Sequence, residues 1–164
     1  MIIKTLFWKE VTFLEFETIN EINEYLVMIF NEILLIEEDA LKQSEFSDLT
    51  IKEMHTIEAI GLSGNLSSSE VAKKLSVTVG TLSVSVQNLV KKGYVERVRL
   101  PEDRRVVNLR LTKRGKLLYR LHRKFHLNMV NQTLSGLNDG EALALQKGLK
   151  NLHTFLDEIK TKTK

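Results

Sequence analysis

Apolar positions set the rhythm of this chain. From Ile19 to Leu41 they recur at helical spacing, with Ile22, Leu26, Phe30, Ile33 and Leu34 on one stripe, which predicts a long amphipathic helix. Thr50 stands three residues ahead of Glu53, a reciprocal cap that satisfies two otherwise orphaned backbone donors; it opens a short helix over IKEMHTIEAI that Gly61 is placed to end. Ser67 and Glu70 repeat the device ahead of Val71, Ala72 and Leu75, and Thr78 caps a fourth helix that runs to Lys92 and closes on Gly93. After Gly93 the period drops to two: Tyr94 to Arg99, a polar Pro-Glu-Asp-Arg-Arg turn, then Val106 to Leu111, which predicts a two-stranded hairpin with a basic tip. Helical spacing resumes at Thr112 through Leu117, Leu121, Phe125 and Met129, and Asn138 with Glu141 caps a last helix ending near Ile159.

Two short helices joined by the tight turn Leu75 to Gly80 form the arrangement in which one helix enters the DNA major groove while the other braces it. On the fourth helix Val79, Leu82, Val86, Leu89 and Val90 share the face expected to pack on the core. The opposite face presents Gly80, Thr81, Val84, Gln87, Asn88 and Lys91. Its first two turns carry no Arg or Lys, so the commonest bidentate contact to guanine is missing there; Asn88 and Gln87 suit adenine, and Val84 suits the thymine methyl. An A·T-rich operator is the expectation. Phosphate contacts are expected from Ser67, Ser68, Ser69, Lys73, Lys91, Arg97 and Arg99, with helix N-termini assisting. At the hairpin tip Arg104 and Arg105 can reach an adjacent minor groove, with Asp103 steadying the arginine through a charge-assisted bond. Taken alone, such a polar helix face or charged turn is just as often solvated surface.

Charge distribution favours the DNA reading. The net charge is only +3, but residues 65–124 hold fifteen Lys/Arg against four Asp/Glu, a net of +11 that leaves −8 for the rest of the chain. One proline and eight glycines among 164 residues suit long helices and few hairpins, and 43% apolar content suffices for a core. The lack of cysteine fits a reducing cytosol and excludes thiol chemistry.

The stretch GYVERVRLPEDRRVVNLRLTKRGKLL, Gly93 to Leu118, resembles the wing and following helix of the MarR family, including an Asp-x-Arg element (Asp103, Arg105) and a Leu-Thr-x-x-Gly element (Leu111, Thr112, Gly115). The resemblance runs from about Ile19 to Ile159. Within the family, IKEMHTIEAIG, VTVGTL, EDRRVV and RLHRKFHLNMV are most similar to Gram-positive repressors of fatty-acid-synthesis genes. That resemblance implies a mostly α winged helix-turn-helix, with N- and C-terminal helices (residues 18–49 and 125–164) intertwined in a homodimer around a DNA-binding region of residues 50–124. It also implies a pseudo-palindromic operator, no cofactor, and a DNA affinity raised by long-chain acyl groups presented on acyl carrier protein. An acyl chain needs an apolar tunnel, for which Phe30, Leu34, Met54, Ile57, Phe125 and Met129 are candidates, although side chains at such spacing are more often plain core. Arg120, Arg123 and Lys124 are candidates for receiving an acidic carrier protein.

Other chemistry has weaker support. His122 and His126 stand one helical turn apart, a spacing that can ligate a metal and that some zinc-sensing relatives use, but no cysteine or obvious third ligand accompanies them, and no metal is expected. His55 and His153 have no nucleophile beside them, and Gly61 to Gly64 lacks the Lys-Ser/Thr of a phosphate loop, so no enzyme is expected. A related regulator answering zinc or a phenolic ligand, and a basic helical adaptor that binds protein alone, remain as alternatives. Residues 1–17 contain no charge-free run longer than four and make no signal peptide; without a membrane span the expected location is the cytoplasm. Lys9-Glu10-Val11 can be encoded by a ribosome-binding sequence read in frame and Leu14 by an alternative start codon. The competing expectation for residues 1–13 is a translated apolar arm that packs Phe7, Trp8 and Phe13 on a dimer.

Overall fold

A computed structural model describes residues 16–64, 66–99 and 107–162. The elements follow in the order α1 (Phe16–Lys42), α2 (Ile51–Ile60), β1 (Leu66–Ser67), α3 (Ser68–Lys74), α4 (Val79–Lys91), β2 (Val95–Arg99), β3 (Val107–Leu111), α5 (Lys113–Leu134) and α6 (Asp139–Lys162). Asp103, Arg104 and Arg105, and residues 1–15 with the proposed start at Leu14, lie outside the described residues. Phe16 and Glu17, expected to precede the first helix, belong to it; Glu17 lies in its first turn, where a carboxylate suits the positive end of the helix.

The chain divides into two compact units, Met1–Gly115 and Lys116–Lys164. In the first, the antiparallel sheet has the strand order β1-β3-β2. The β2–β3 hairpin is the expected one, with Val95 opposite Leu111, Arg97 opposite Leu109 and Arg99 opposite Val107. The two-residue strand β1 was not foreseen; it pairs Leu66 with Leu109 and Ser67 with Asn108, so Ser67 closes the sheet and caps α3 at once. Ile57, Ile60, Val71, Leu82, Val86, Leu89, Val95, Leu109 and Leu111 are all at most 2% exposed and form the core that α2, α3, α4 and the sheet share. Burial of each such aliphatic side chain stabilises by about 1.5–3 kcal/mol, before the cost of ordering it.

Both reciprocal caps are present. Thr50 accepts from the Glu53 amide while Glu53 accepts from Thr50, and Ser67 and Glu70 do the same. Each is worth about 1 kcal/mol. Strand β3 turns into α5 at Thr112, whose hydroxyl donates to the Gly93 carbonyl at 2.7 Å and accepts from the Gly115 amide at 3.2 Å. A Cβ on Gly115 would run into the Tyr94 carbonyl oxygen, which explains the glycine of the Leu-Thr-x-x-Gly element by close backbone approach.

The second unit holds the greater part of α5 and all of α6. Gly136, at φ +87°, turns the chain, and Asn138 and Glu141 cap α6 reciprocally as expected. Val130, Thr133, Leu134, Leu143, Gln146 and Leu149 line an apolar groove of about 430 Å³. Among the described residues α6 buries no side chain fully, and Leu143, Leu149, Phe155 and Leu156 are exposed. Among the described residues no helix is long and apolar enough to cross a membrane.

Candidate nucleic-acid interface

The helix-turn-helix is built by local signals. α3 ends at Lys74 with Leu75 as its C-terminal cap, and Ser76 takes a left-handed conformation, φ 55°, that turns the chain while the Val77 amide donates to the Ala72 carbonyl at 3.0 Å. Thr78 then stops the turn by accepting from the Thr81 amide at 3.1 Å. Three of the five expected core residues of α4 are buried: Leu82, Val86 and Leu89. Val79 and Val90 are not, at 49% and 39% exposed. The buried arc is narrower than the apolar stripe and is displaced toward Ser85 and Lys92. Ser85 Oγ lies 3.1 Å from Thr56 Oγ1 on α2, and Lys92 Nζ donates to Glu53 Oε2 at 2.7 Å. Polar anchors therefore fix the rotation of α4, and the two valines lie at the edge of its packed face.

The opposite face emerges as expected. Gly80, Thr81, Val84, Gln87, Asn88 and Lys91 are all exposed, and Val84, at 63%, is an apolar side chain with no core role. A Cβ built on Gly80 would meet nothing nearer than the Thr78 hydroxyl at 3.8 Å, so the protein's own packing does not demand glycine there. The Thr81 hydroxyl is engaged with Thr78 at 2.9 Å, and that of Ser67 with Glu70 at 2.7 Å; both belong to caps. Ser69 and Lys73 are exposed on α3, and Ser68 is half-buried.

Alternation along the hairpin assigns its charges to faces. Arg97 and Arg99 share the face of Val95, Leu109 and Leu111, the one packed against the helices, and project exposed beyond the core edge; Glu96 and Arg110 lie on the other face. Arg110 stacks its stem over Gly64, where an added Cβ would lie 3.0 Å from Arg110 Cγ.

Electrostatics follow burial and partners. Burial alone would raise the Glu53 carboxyl, but hydrogen bonds from Lys92 and Thr50 outweigh it and hold it below the usual 4.5. The Tyr94 hydroxyl is pushed up, by burial first and then by its bond to Asp48. Neither Lys92 nor Asp48 was singled out in the sequence, because each partner is distant along the chain.

The candidate effector residues sit in different settings. Met54 and Ile57 are core side chains, 4% and 1% exposed, while Phe30 and Leu34 are exposed on α1. In the second unit Phe125 and Met129 are half-buried on α5, and Arg120, Arg123 and Lys124 are exposed. His122 and His126 face each other with Nε2 atoms 3.0 Å apart, and in the first unit His55 Nε2 lies 3.2 Å from the Glu37 carboxylate.

The MarR family profile matches residues 47–106. Among curated proteins, the uncharacterized HTH-type transcriptional regulator YfiV of Bacillus subtilis (strain 168) is 30% identical over 114 residues, covering 69% of this chain and 71% of YfiV. YhjH of the same strain, an uncharacterized regulator of the same type, is 30% identical over 89 residues, 54% of this chain; the match spans about half, 51%, of YhjH. Among solved structures, Streptococcus pneumoniae FabT in complex with DNA is 50% identical, with a TM-score of 0.78 over 85% of this chain and 98% of that one.

Proposed function

Because the chain belongs to the MarR family of transcriptional regulators, we propose that it is a homodimeric repressor of fatty-acid-synthesis genes whose corepressor is a long-chain acyl group on acyl carrier protein. The observation that carries this reading is the likeness to FabT, half of the aligned residues over nearly all of that chain, in a structure that itself holds DNA. The exposed face of α4 supports the DNA half: small residues at its start, amides and an apolar side chain in its middle, and a lysine at its end. α4 reads the major groove, Arg97 and Arg99 meet phosphates beside it, and Arg104 and Arg105, with Asp103 steadying the arginine, supply the contact to the neighbouring minor groove. Uncovered apolar stripes on α1 and α6 support a second copy as their cover, and a two-fold dimer meets A·T-rich half-sites about 10 base pairs apart.

The exposed Phe30 and Leu34 in the first unit and the half-buried Phe125 and Met129 in the second are the candidates for contact with the acyl chain, Met54 and Ile57 being core side chains, and Arg120, Arg123 and Lys124 are the candidates for receiving the acidic carrier. The test is a titration of duplex binding with acylated and unacylated carrier protein. Tighter binding with the acylated form alone is the expected result; equal binding with both removes the corepressor. A second effector is favoured by one observation, the approach of the His122 and His126 ring nitrogens to 3.0 Å, so zinc is titrated in parallel. Affinity that does not fall with salt would instead fit a protein-binding adaptor, since phosphate contacts release counterions.

A further inference from the structure

One guanidinium holds four segments of the first unit together. Arg114, in the first turn of α5, donates through Nη1 to the Lys92 carbonyl at the C-terminal cap of α4 at 3.3 Å, and through Nη2 to the Glu45 carbonyl and to Asp48 Oδ1, both at 3.2 Å. Its plane lies over the Tyr94 ring, 4.3 Å from the centroid, and the buried Tyr94 donates its hydroxyl to the same Asp48 oxygen at 2.7 Å. The end of α4, the start of β2, the loop that follows α1 and the start of α5 thus converge on a single side chain.

As a source of stability this cluster is weak. The Arg114 and Asp48 side chains are 44% and 40% exposed, and ion pairs so open to water contribute little. Its distinctive property is geometry. A planar fork with fixed donor directions satisfies two carbonyls and a carboxylate only in one mutual arrangement of the segments that carry them, which a lysine's point charge would not enforce. Two of those segments adjoin α1 and α5, and a third ends the helix that faces DNA.

We infer that Arg114 is a positioning residue for operator recognition, fixing the end of α4 to the loop that leaves α1 and to the start of α5 and thereby setting the half-site spacing that the dimer accepts. This rests on the reading of the protein as a dimeric DNA-binding repressor. Arg114 itself touches no base or phosphate in this assignment. Its loss is therefore felt in the tolerance for spacing and not in the bases preferred.

The experiment uses the full chain and a set of duplexes carrying two copies of a half-site selected by the wild type, with centre-to-centre spacing varied one base pair at a time. Wild type is expected to show a sharp optimum. Arg114→Gln is expected to lose about tenfold in affinity at that optimum and much less at neighbouring spacings, flattening the profile, with Arg114→Lys between the two. Thermal melts establish that each variant is folded; should Arg114→Gln fail to fold, Arg114→Lys and Asp48→Asn carry the same comparison. Profiles that fall in parallel at every spacing, or that keep the wild-type optimum unchanged, overturn the inference while leaving the repressor reading intact. A wild type that binds no duplex at low salt, with or without acylated carrier protein, overturns both.

Discussion

Lys92 reaches across from the end of α4 to place its ammonium 2.7 Å from the Glu53 carboxylate, which itself completes the reciprocal cap of α2 with Thr50. One acidic group therefore serves two elements. It accepts from the Thr50 amide at 2.9 Å to start α2 and from Lys92 to anchor the last turn of the recognition helix. The carboxylate is 7% exposed and the lysine 29%, so this pair is better shielded from solvent than the Asp48–Arg114 pair.

Removing the lysine should therefore cost stability in a pH-dependent way. Lys92→Met leaves a buried carboxylate short of one partner, a loss of about 1–3 kcal/mol. Glu53 titrates below its unfolded value near 4.5, so the pair's contribution is fully present above that value and is lost as pH falls through the lower folded one. Denaturant titrations of wild type and variant should differ most near neutrality and converge in acid. A gap that persists after Glu53 is protonated would mean that the lysine stem packs and its charge does not matter.

Two glycines that look alike in the sequence should respond oppositely to alanine. At Gly115 the new methyl meets the Tyr94 carbonyl, a rigid backbone atom, so Gly115→Ala should destabilise by about 1–3 kcal/mol or more. Gly80 lies in the first turn of α4 with open space about its Cα, and Gly80→Ala should stabilise by up to about 1 kcal/mol through helix propensity. If close approach to DNA is why glycine stands at 80, operator affinity falls in that more stable variant. Thermal melts set beside binding isotherms separate the two effects, and unchanged affinity of Gly80→Ala would remove it from the interface.

How far the sequence discloses this structure depends on the range of the signal. Caps, turns and the exposed face of α4 were legible because each is written within a few residues: Thr50 with Glu53, Ser67 with Glu70, Thr78 with Thr81. Periodicity also gave the direction in which Leu82, Val86 and Leu89 point. It does not give the width of the buried arc, which is why Val79 and Val90 fall outside the core; that width is set by Thr56 and Glu53 on another helix. β1 escaped notice because two residues cannot display an alternation. The Arg114 cluster escaped because its partners lie 22, 66 and 69 residues away, and a lone arginine after a threonine carries no mark of them.

The assignment of roles along the exposed face of α4 leads to a last prediction, in which specificity and affinity part company. Asn88 presents an amide that can pair bidentately with an adenine edge, worth about 1–3 kcal/mol of discrimination against other bases. Lys91 lies in the last turn of the helix, one turn from the exposed amide Gln87, and under the proposed reading it meets phosphate, which carries no sequence information. Selection from random duplexes should then return a motif for Asn88→Ala that is degenerate at one position of each half-site, while Lys91→Ala returns the wild-type motif with weaker binding throughout. Arg97→Ala should behave as Lys91→Ala does and should lower the slope of log affinity against log salt by about 1, the signature of one lost phosphate contact. An unchanged motif for Asn88→Ala would shift the reading of sequence from this amide to the shape and deformability of the duplex.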